Sequence, residues 1–225
     1  ADFHIKDFHG TVHRDEARGL WIVPTFHPSH IQRGAFNLFG TLLWDLGVAF
    51  DLAKANTYIR DPYTLQLDPP VEWFAAWVDA VLAAREACWL AVDIETPDKE
   101  RKTDEGELGA KDRSQLITRV NFASGPDEGI TVPFLDPYIP LIRKVLASRA
   151  VKLFWHEKYD CPRLRAHGCP PQGVVLDFMW AWHVLQSDCP RGLGFAAPFF
   201  SNLGAWKHLS DSEPVRYAAI DGVQT

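Results

Sequence analysis

The feature that most constrains this chain is an apolar run that ends in two carboxylates. Trp89-Leu-Ala-Val-Asp93-Ile-Glu95-Thr96 reads as a buried strand. Strand side chains alternate faces, so Asp93 and Glu95 point the same way, at the rim of a sheet. The spacing Asp-x-Glu says little by itself. Asp98-Lys-Glu100 and Asp211-Ser-Glu213 share it and read as solvated loop charges, because neither ends an apolar run.

Two further acidic segments follow in order. Asp160 closes Phe154-Trp-His156-Glu-Lys-Tyr-Asp160, and Tyr217-Ala-Ala-Ile-Asp221 is the sole Tyr-x-x-x-Asp in the chain. Helical i, i+4 spacing puts its phenol and carboxylate on one face. Oxygen donors gathered from distant parts of a chain suit hard divalent cations. Two such cations side by side are a known means of cutting phosphodiesters.

The chain beyond residue 70 alternates short strands and helices. The pattern predicts a helix at 71–87, strands at 88–94, 115–123 and 129–134, a helix at 137–149, a strand at 151–155, a helix at 159–167 and a strand at 174–176. Asp177 is placed to cap the next helix. Residues 187–216 read as loop, and a last helix from about Glu213 carries Tyr217 and Asp221. This order predicts an α/β domain with a mixed sheet. The charged stretch 98–113 reads as a loop that either closes over substrate or forms a plain hairpin tip.

The three acidic segments resemble the exonuclease motifs of the DnaQ-like superfamily, and within it the tyrosine-bearing branch. That branch comprises the 3′→5′ proofreading exonucleases attached to family A DNA polymerases. The resemblance covers about residues 66–225. It implies a ribonuclease H-like fold, a mixed central sheet flanked by helices. It implies Asp93, Glu95, Asp160 and Asp221 as ligands of two Mg²⁺ ions, with Mn²⁺ the alternative. Tyr217 is then the group that orients the attacking water, since a phenol titrating near pH 10 is no strong base. Thr96 and His156 are the expected substrate contacts. His156 stands where family members commonly carry Asn, and both residues can hydrogen-bond. The expected partner is a single-stranded DNA 3′ end, and the expected product a nucleoside 5′-monophosphate. The sister branch uses His-x-x-x-x-Asp, a string that His183-Val-Leu-Gln-Ser-Asp188 fits, but those residues precede the expected final helix.

Residues 1–55 read as a separate unit: a buried strand at 20–26, a turn at 27–33 and a helix at 35–55. Gly10, Trp21-Ile-Val-Pro-Thr-Phe-His27-Pro-Ser29 and Arg33 resemble the C-terminal part of the uracil-DNA glycosylase superfamily. The matching histidine there lies against the uracil carbonyl, and a pocket that reads a flipped base needs such a donor. The family's upstream water-activating motif and cluster cysteines are missing from this chain, so glycosylase activity is not expected of it alone. The plain alternative is a strand–turn–helix. Residues 56–72, with Asp61-Pro and Asp68-Pro-Pro, read as a linker, leaving 73–225 as the exonuclease domain. A fragment of a longer bacterial or phage replication or repair polypeptide, with a polymerase domain as candidate neighbour, is the expectation.

The net charge of −6 does not advertise nucleic-acid binding. Metal ions bound to a carboxylate site would reverse the local field, so the sign excludes little. Lys152, Lys158, Arg163 and Arg165 read as phosphate contacts or as a solvated helix face. Phe122, Phe154, Trp155, Phe178, Trp180, Trp182, Phe195, Phe199 and Phe200 offer base-stacking surfaces or core. The four cysteines have no zinc spacing and read as free thiols of a reducing, cytoplasmic compartment. Asp45 and Asp51 interrupt the helix at 35–55, which reads as a buried amphipathic helix and not a membrane span. Three rivals remain at this point. They are an RNA 3′ exonuclease resembling ribonuclease D, a catalytically silent DNA-binding module, and a uracil-recognition domain built around His27.

Overall fold

A computed structural model describes residues 4–84, 88–97 and 116–225. The expected loop at 98–113 lies outside the described residues. The chain forms two compact units, Ala1–Pro62 with Ala181–Ser212 and Tyr63–Trp180 with Glu213–Thr225. The first crossing falls inside the expected linker, while 181–212 pack with the N-terminal segment.

In the first unit, β1 (His13–Asp15) and β2 (Leu20–Ile22) form an antiparallel ribbon. The strand expected over 20–26 is thus short, and Leu20 and Ile22 are exposed. Pro24 and Pro28 surround the stretch that fails to pair, and proline cannot donate to a ladder. Helix α1 (Pro28–Gln32) follows, and α2 (Phe39–Ala55) carries Asp45. Asp45 is buried, accepts a hydrogen bond from Thr25 Oγ1 at 2.6 Å, and faces His9 Nδ1 at 3.0 Å. His9 Nε2 donates to the Phe195 carbonyl at 2.8 Å. These bonds satisfy Asp45, the buried one of the two carboxylates that interrupt the helix, and Asp51 is exposed. The helix is not the buried one expected, however. Phe39, Leu43, Trp44, Leu46 and Phe50 are all exposed, because its apolar residues surround the axis and one stripe alone is covered. By length and composition, Phe36–Ala55 could cross a membrane.

The second unit is built on a six-stranded mixed sheet in the order β3-β6-β5-β4-β7-β8. The strands are β3 (Thr64–Leu67), β4 (Trp89–Glu95), β5 (Arg119–Gly125), β6 (Glu128–Pro133), β7 (Val151–Phe154) and β8 (Val175–Asp177). β4, β5 and β6 form an antiparallel meander, whereas β3/β6, β4/β7 and β7/β8 are parallel. β3 occupies part of the expected linker. Four residues between prolines carry too little pattern to read as a strand, yet they pair in register with β6.

Alternation along the strands separates two chemistries. Leu90, Val92, Ile94, Val120, Phe122, Ile130 and Val132 face one core, with Phe74 and Val78 of α3 (Val71–Ala83) and Ile142, Val145 and Leu146 of α4 (Tyr138–Leu146). Each such large side chain stabilises the fold by about 1.5–3 kcal/mol when fully buried. The intervening positions, Ala91, Asp93, Glu95, Arg119, Asn121, Ala123, Gly129 and Thr131, belong to the opposite face. Helix α8 (Pro214–Gln224) crosses that face, burying Ala218, Ala219, Ile220, Asp221 and Gly222. Its seat is made by glycine. A Cβ on Gly129 would lie 2.5 Å from the Ala219 carbonyl oxygen, and one on Gly222 would lie 3.2 Å from Asn121 Cβ.

Helix α5 (Glu157–Ala166) follows β7, and α6 (Phe178–Leu185) follows β8; a short α7 (Leu193–Ala196) lies in the first unit. Asp177 caps as expected, accepting from Trp180 N–H at 3.2 Å. Its other oxygen accepts from Glu157 N–H at 3.0 Å, so one carboxylate holds the start of both α5 and α6.

Candidate active site

β4 delivers Asp93 and Glu95 at its C-terminal end, and α8 lays Asp221 against them. Carboxylate oxygens of these three residues all lie within 4.8 Å of one another. Oxygens ligating one Mg²⁺ at 2.0–2.1 Å stand at most about 4.2 Å apart, so a small inward adjustment would let the trio share an ion. Asp160, from the first half of α5, is buried beside them. Its pKa is raised well above the usual carboxylate range by burial, then by the charges of Asp93 and Glu95, with the Arg163 guanidinium opposing. Like charges packed this closely are costly unless a cation intervenes. A hard, oxygen-only donor set of this kind fits Mg²⁺ or Mn²⁺.

Tyr217 lies one turn before Asp221 on α8. Its phenol is pushed far up by burial, then by Asp221 and Glu95, and it hydrogen-bonds to Asp221. It therefore stays protonated throughout the working pH range and can donate or orient but not act as a base.

The other expected site residues occupy definite places. Thr96 is buried at the end of β4 and its Oγ1 lies 2.9 Å from Tyr159 OH. His156 precedes α5 and its ring stacks on Tyr159, with centroids 5.9 Å apart. Tyr159 in turn lies under the Arg163 guanidinium at 3.5 Å. Neither open reading of the basic cluster holds for two of its members. Lys152 and Arg163 are fully buried, Lys152 donating to the Ser148 and Gln172 carbonyls and Arg163 to the Tyr159 carbonyl. Lys158 remains outside, over the Trp180 ring at 4.8 Å, and Arg165 lies 3.9 Å from Glu157. Phe122, Phe154 and Phe195 are core and offer no stacking surface. Asp211 and Glu213 are exposed, as read; Asp98 and Glu100 lie outside the described residues.

His27, Ser29 and Arg33 sit on or beside α1. His27 Nδ1 accepts from Ser29 N–H at 3.1 Å and lies 2.7 Å from Ser29 Oγ. An accepting Nδ1 leaves the proton on Nε2, so the ring, which is exposed, offers a donor to solvent. All four cysteines are free.

Sequence reading missed Asn121. It is fully buried on β5, directly opposite Asp93 in the register, and its Nδ2 donates to Asp93 Oδ2 at 2.8 Å. An amide set between the apolar Val120 and Phe122 of β5 was the available signal.

Neither a protein-family model nor a curated protein sequence matches this chain. Among solved structures it is similar to RNase D from Escherichia coli, an exoribonuclease involved in structured RNA processing, with a TM-score of 0.52 and 17% identity. The alignment covers 73% of this chain but 42% of that one, so the chain spans less than half of RNase D. A nuclease in its apo form aligns over 74% of this chain and 76% of its own, with 18% identity and a TM-score of 0.49. The likeness to RNase D is one of fold, a mixed central sheet with flanking helices of the ribonuclease H-like kind.

Proposed function

We propose that this chain is a metal-dependent 3′→5′ exonuclease that shortens single-stranded DNA from its 3′ end and releases nucleoside 5′-monophosphates. The observation that carries the reading is the meeting of Asp93, Glu95 and Asp221, brought together by β4 and α8. Asp160 supplies a fourth carboxylate and Tyr217 a protonated hydroxyl at the same place. Four carboxylates favour two ions, Mg²⁺ or alternatively Mn²⁺. When bound, the ions supply an activated water and a Lewis acid at the leaving 3′ oxygen. Tyr217 donates its retained proton to Asp221, which holds the phenol in place, and its oxygen orients the water by accepting from it. His156 and Thr96 flank Tyr159 and shape the approach of the terminal nucleotide.

The glycosylase-like segment in the same chain favours DNA over RNA as substrate, in keeping with the resemblance to the proofreading branch; the carboxylate chemistry itself serves both. Proofreading or repair, with a polymerase in the same longer polypeptide, is the context this favours. In residues 1–55 the outward Nε2–H of His27 is the group that would meet a base carbonyl. Ser29 fixes its tautomer, and Arg33 lies at the end of the same helix.

The test is hydrolysis of a 5′-labelled single-stranded DNA with and without Mg²⁺, beside the Asp93→Ala variant and a matched RNA. A metal-dependent ladder that shortens from the 3′ end, disappears in the variant and is weaker on RNA is expected. A preference for RNA moves the substrate to the 2′-hydroxyl class. No cleavage by folded protein in Mg²⁺ or Mn²⁺ overturns the reading in favour of a silent binding module.

A further inference from the structure

We infer that Asn121 is a positioning residue for Asp93, held in its working orientation by a hydrogen-bonded chain that runs Asp68–Arg119–Thr131–Asn121 across the sheet. The inference rests on the exonuclease reading of the carboxylate site.

The direction of every bond in the chain is forced. Arg119 Nε can only donate, and it lies 3.1 Å from Thr131 Oγ1. Thr131 therefore accepts there and has its one proton left for Asn121 Oδ1, 2.7 Å away. With its carbonyl oxygen so engaged, Asn121 turns its NH₂ toward Asp93 Oδ2, at 2.8 Å. Asp68, just after β3, anchors the other end by a salt bridge to the Arg119 guanidinium. Asn121 and Thr131 are both fully buried, so no water competes for the bond between them. The sheet register supplies the alignment: Asp93 opposes Asn121, Asn121 opposes Thr131, and Thr131 opposes Leu67, the residue before Asp68.

The arrangement answers a specific problem. Asp93 sits among Glu95, Asp221 and Asp160, and a lysine or arginine placed against it would compete with a cation. A neutral amide fixes one carboxylate oxygen without adding charge. The cationic end of the chain is kept away from Asp93, paired with Asp68 beyond Thr131. Outer groups that orient metal ligands typically change metal affinity or activity 10–100-fold when removed.

The test uses the full chain and Mn²⁺ alone as probe, with Thr131→Val and Thr131→Ser beside the wild type. Valine keeps the shape and removes the hydroxyl; serine restores it. Calorimetric titration is expected to show Mn²⁺ binding weakened about 10–100-fold in Thr131→Val and within about threefold of wild type in Thr131→Ser. At limiting Mn²⁺, kcat on DNA falls in Thr131→Val with KM unchanged, and raising Mn²⁺ restores it. Wild-type affinity and kcat in Thr131→Val overturn the inference. So does a Thr131→Ser variant as impaired as the valine, since packing rather than the hydroxyl would then be at fault. Should Thr131→Val fold poorly, Asp68→Asn at the half-exposed end of the chain decides, and unchanged Mn²⁺ binding there is likewise fatal. A wild-type chain that neither binds Mn²⁺ nor cleaves removes the exonuclease reading itself. One that does both, with an unaffected valine variant, removes the positioning role alone.

Discussion

Replacing Gly129 by alanine tests how the fold builds the site. Gly129 lies on β6 under α8, and a Cβ there would stand 2.5 Å from the Ala219 carbonyl oxygen, 2.5 Å from Val223 Cγ2 and 3.0 Å from Leu65 Cδ2. The Leu65 and Val223 tips can swing aside, but a helix carbonyl cannot. Restoring a contact of about 3.5 Å requires α8 to retreat by about 1 Å. Overpacking of this kind costs about 1–3 kcal/mol, and alanine recovers about 0.5–1 kcal/mol over glycine in a strand, so the net loss is at most about 2.5 kcal/mol. The consequence for activity is larger, because Ala219 lies between Tyr217 and Asp221 on the displaced helix. A 1 Å misplacement costs roughly 100-fold in rate. Gly125→Ala is the control, because its Cβ meets just the Asp127 carboxylate, at 3.0 Å, which is free to rotate. Urea denaturation gives the stability change, and 3′→5′ hydrolysis at saturating Mg²⁺ gives kcat. A Gly129→Ala variant within 0.3 kcal/mol and twofold of wild type, roughly the scatter between independent sites, would refute the claim that close approach of α8 sets the site.

Other outcomes follow from single groups. Burial, then Asp93, raises the Asp160 pKa, so the folded protein binds a proton that the unfolded chain has already released. Metal-free stability should therefore fall as pH rises from about 4, the unfolded value, through the raised folded value. Thermal shift by Mg²⁺ should accordingly be larger at pH 8 than at pH 5; an equal shift at both would contradict the assignment. Asp177→Ala removes the caps on α5 and α6 and should cost about 2 kcal/mol in urea unfolding, at about 1 kcal/mol per cap. Tyr217→Phe should lower kcat about 10–100-fold yet leave the shape of the pH–rate profile intact, because the raised phenol does not titrate in the working range. Lys152→Met strands the Ser148 and Gln172 carbonyls and should cost about 1–3 kcal/mol while Mn²⁺ affinity, read by calorimetry, stays put.

The groups that do the proposed chemistry were legible because each stands out from its local pattern. Asp93 and Glu95 break a strand's apolar alternation at its end, and Tyr217 and Asp221 are one helical turn apart. What orients them was hidden for a physical reason. Asn121 and Thr131 are ordinary residues within their own strands, and they acquire meaning only when pairing places them in one row with Asp93. Gly129 looks like a turn residue until a helix is laid across it, and Gly222 looks like one until its own helix is set against β5. Lys152 and Arg163 look like surface charge because the carbonyls that satisfy Lys152 come from two different loops, and the one that satisfies Arg163 from its own helix. The exposed apolar side of α2 was misread in the opposite sense: periodicity says that a stripe is apolar, not that anything described covers it. The division has a common cause. A catalytic carboxylate is selected by its own chemistry and shows in one segment, whereas the group that aims it is defined by strand register. Register is a relation between segments, so a buried amide opposite an acidic rim residue is the pattern to seek once strand pairing is known.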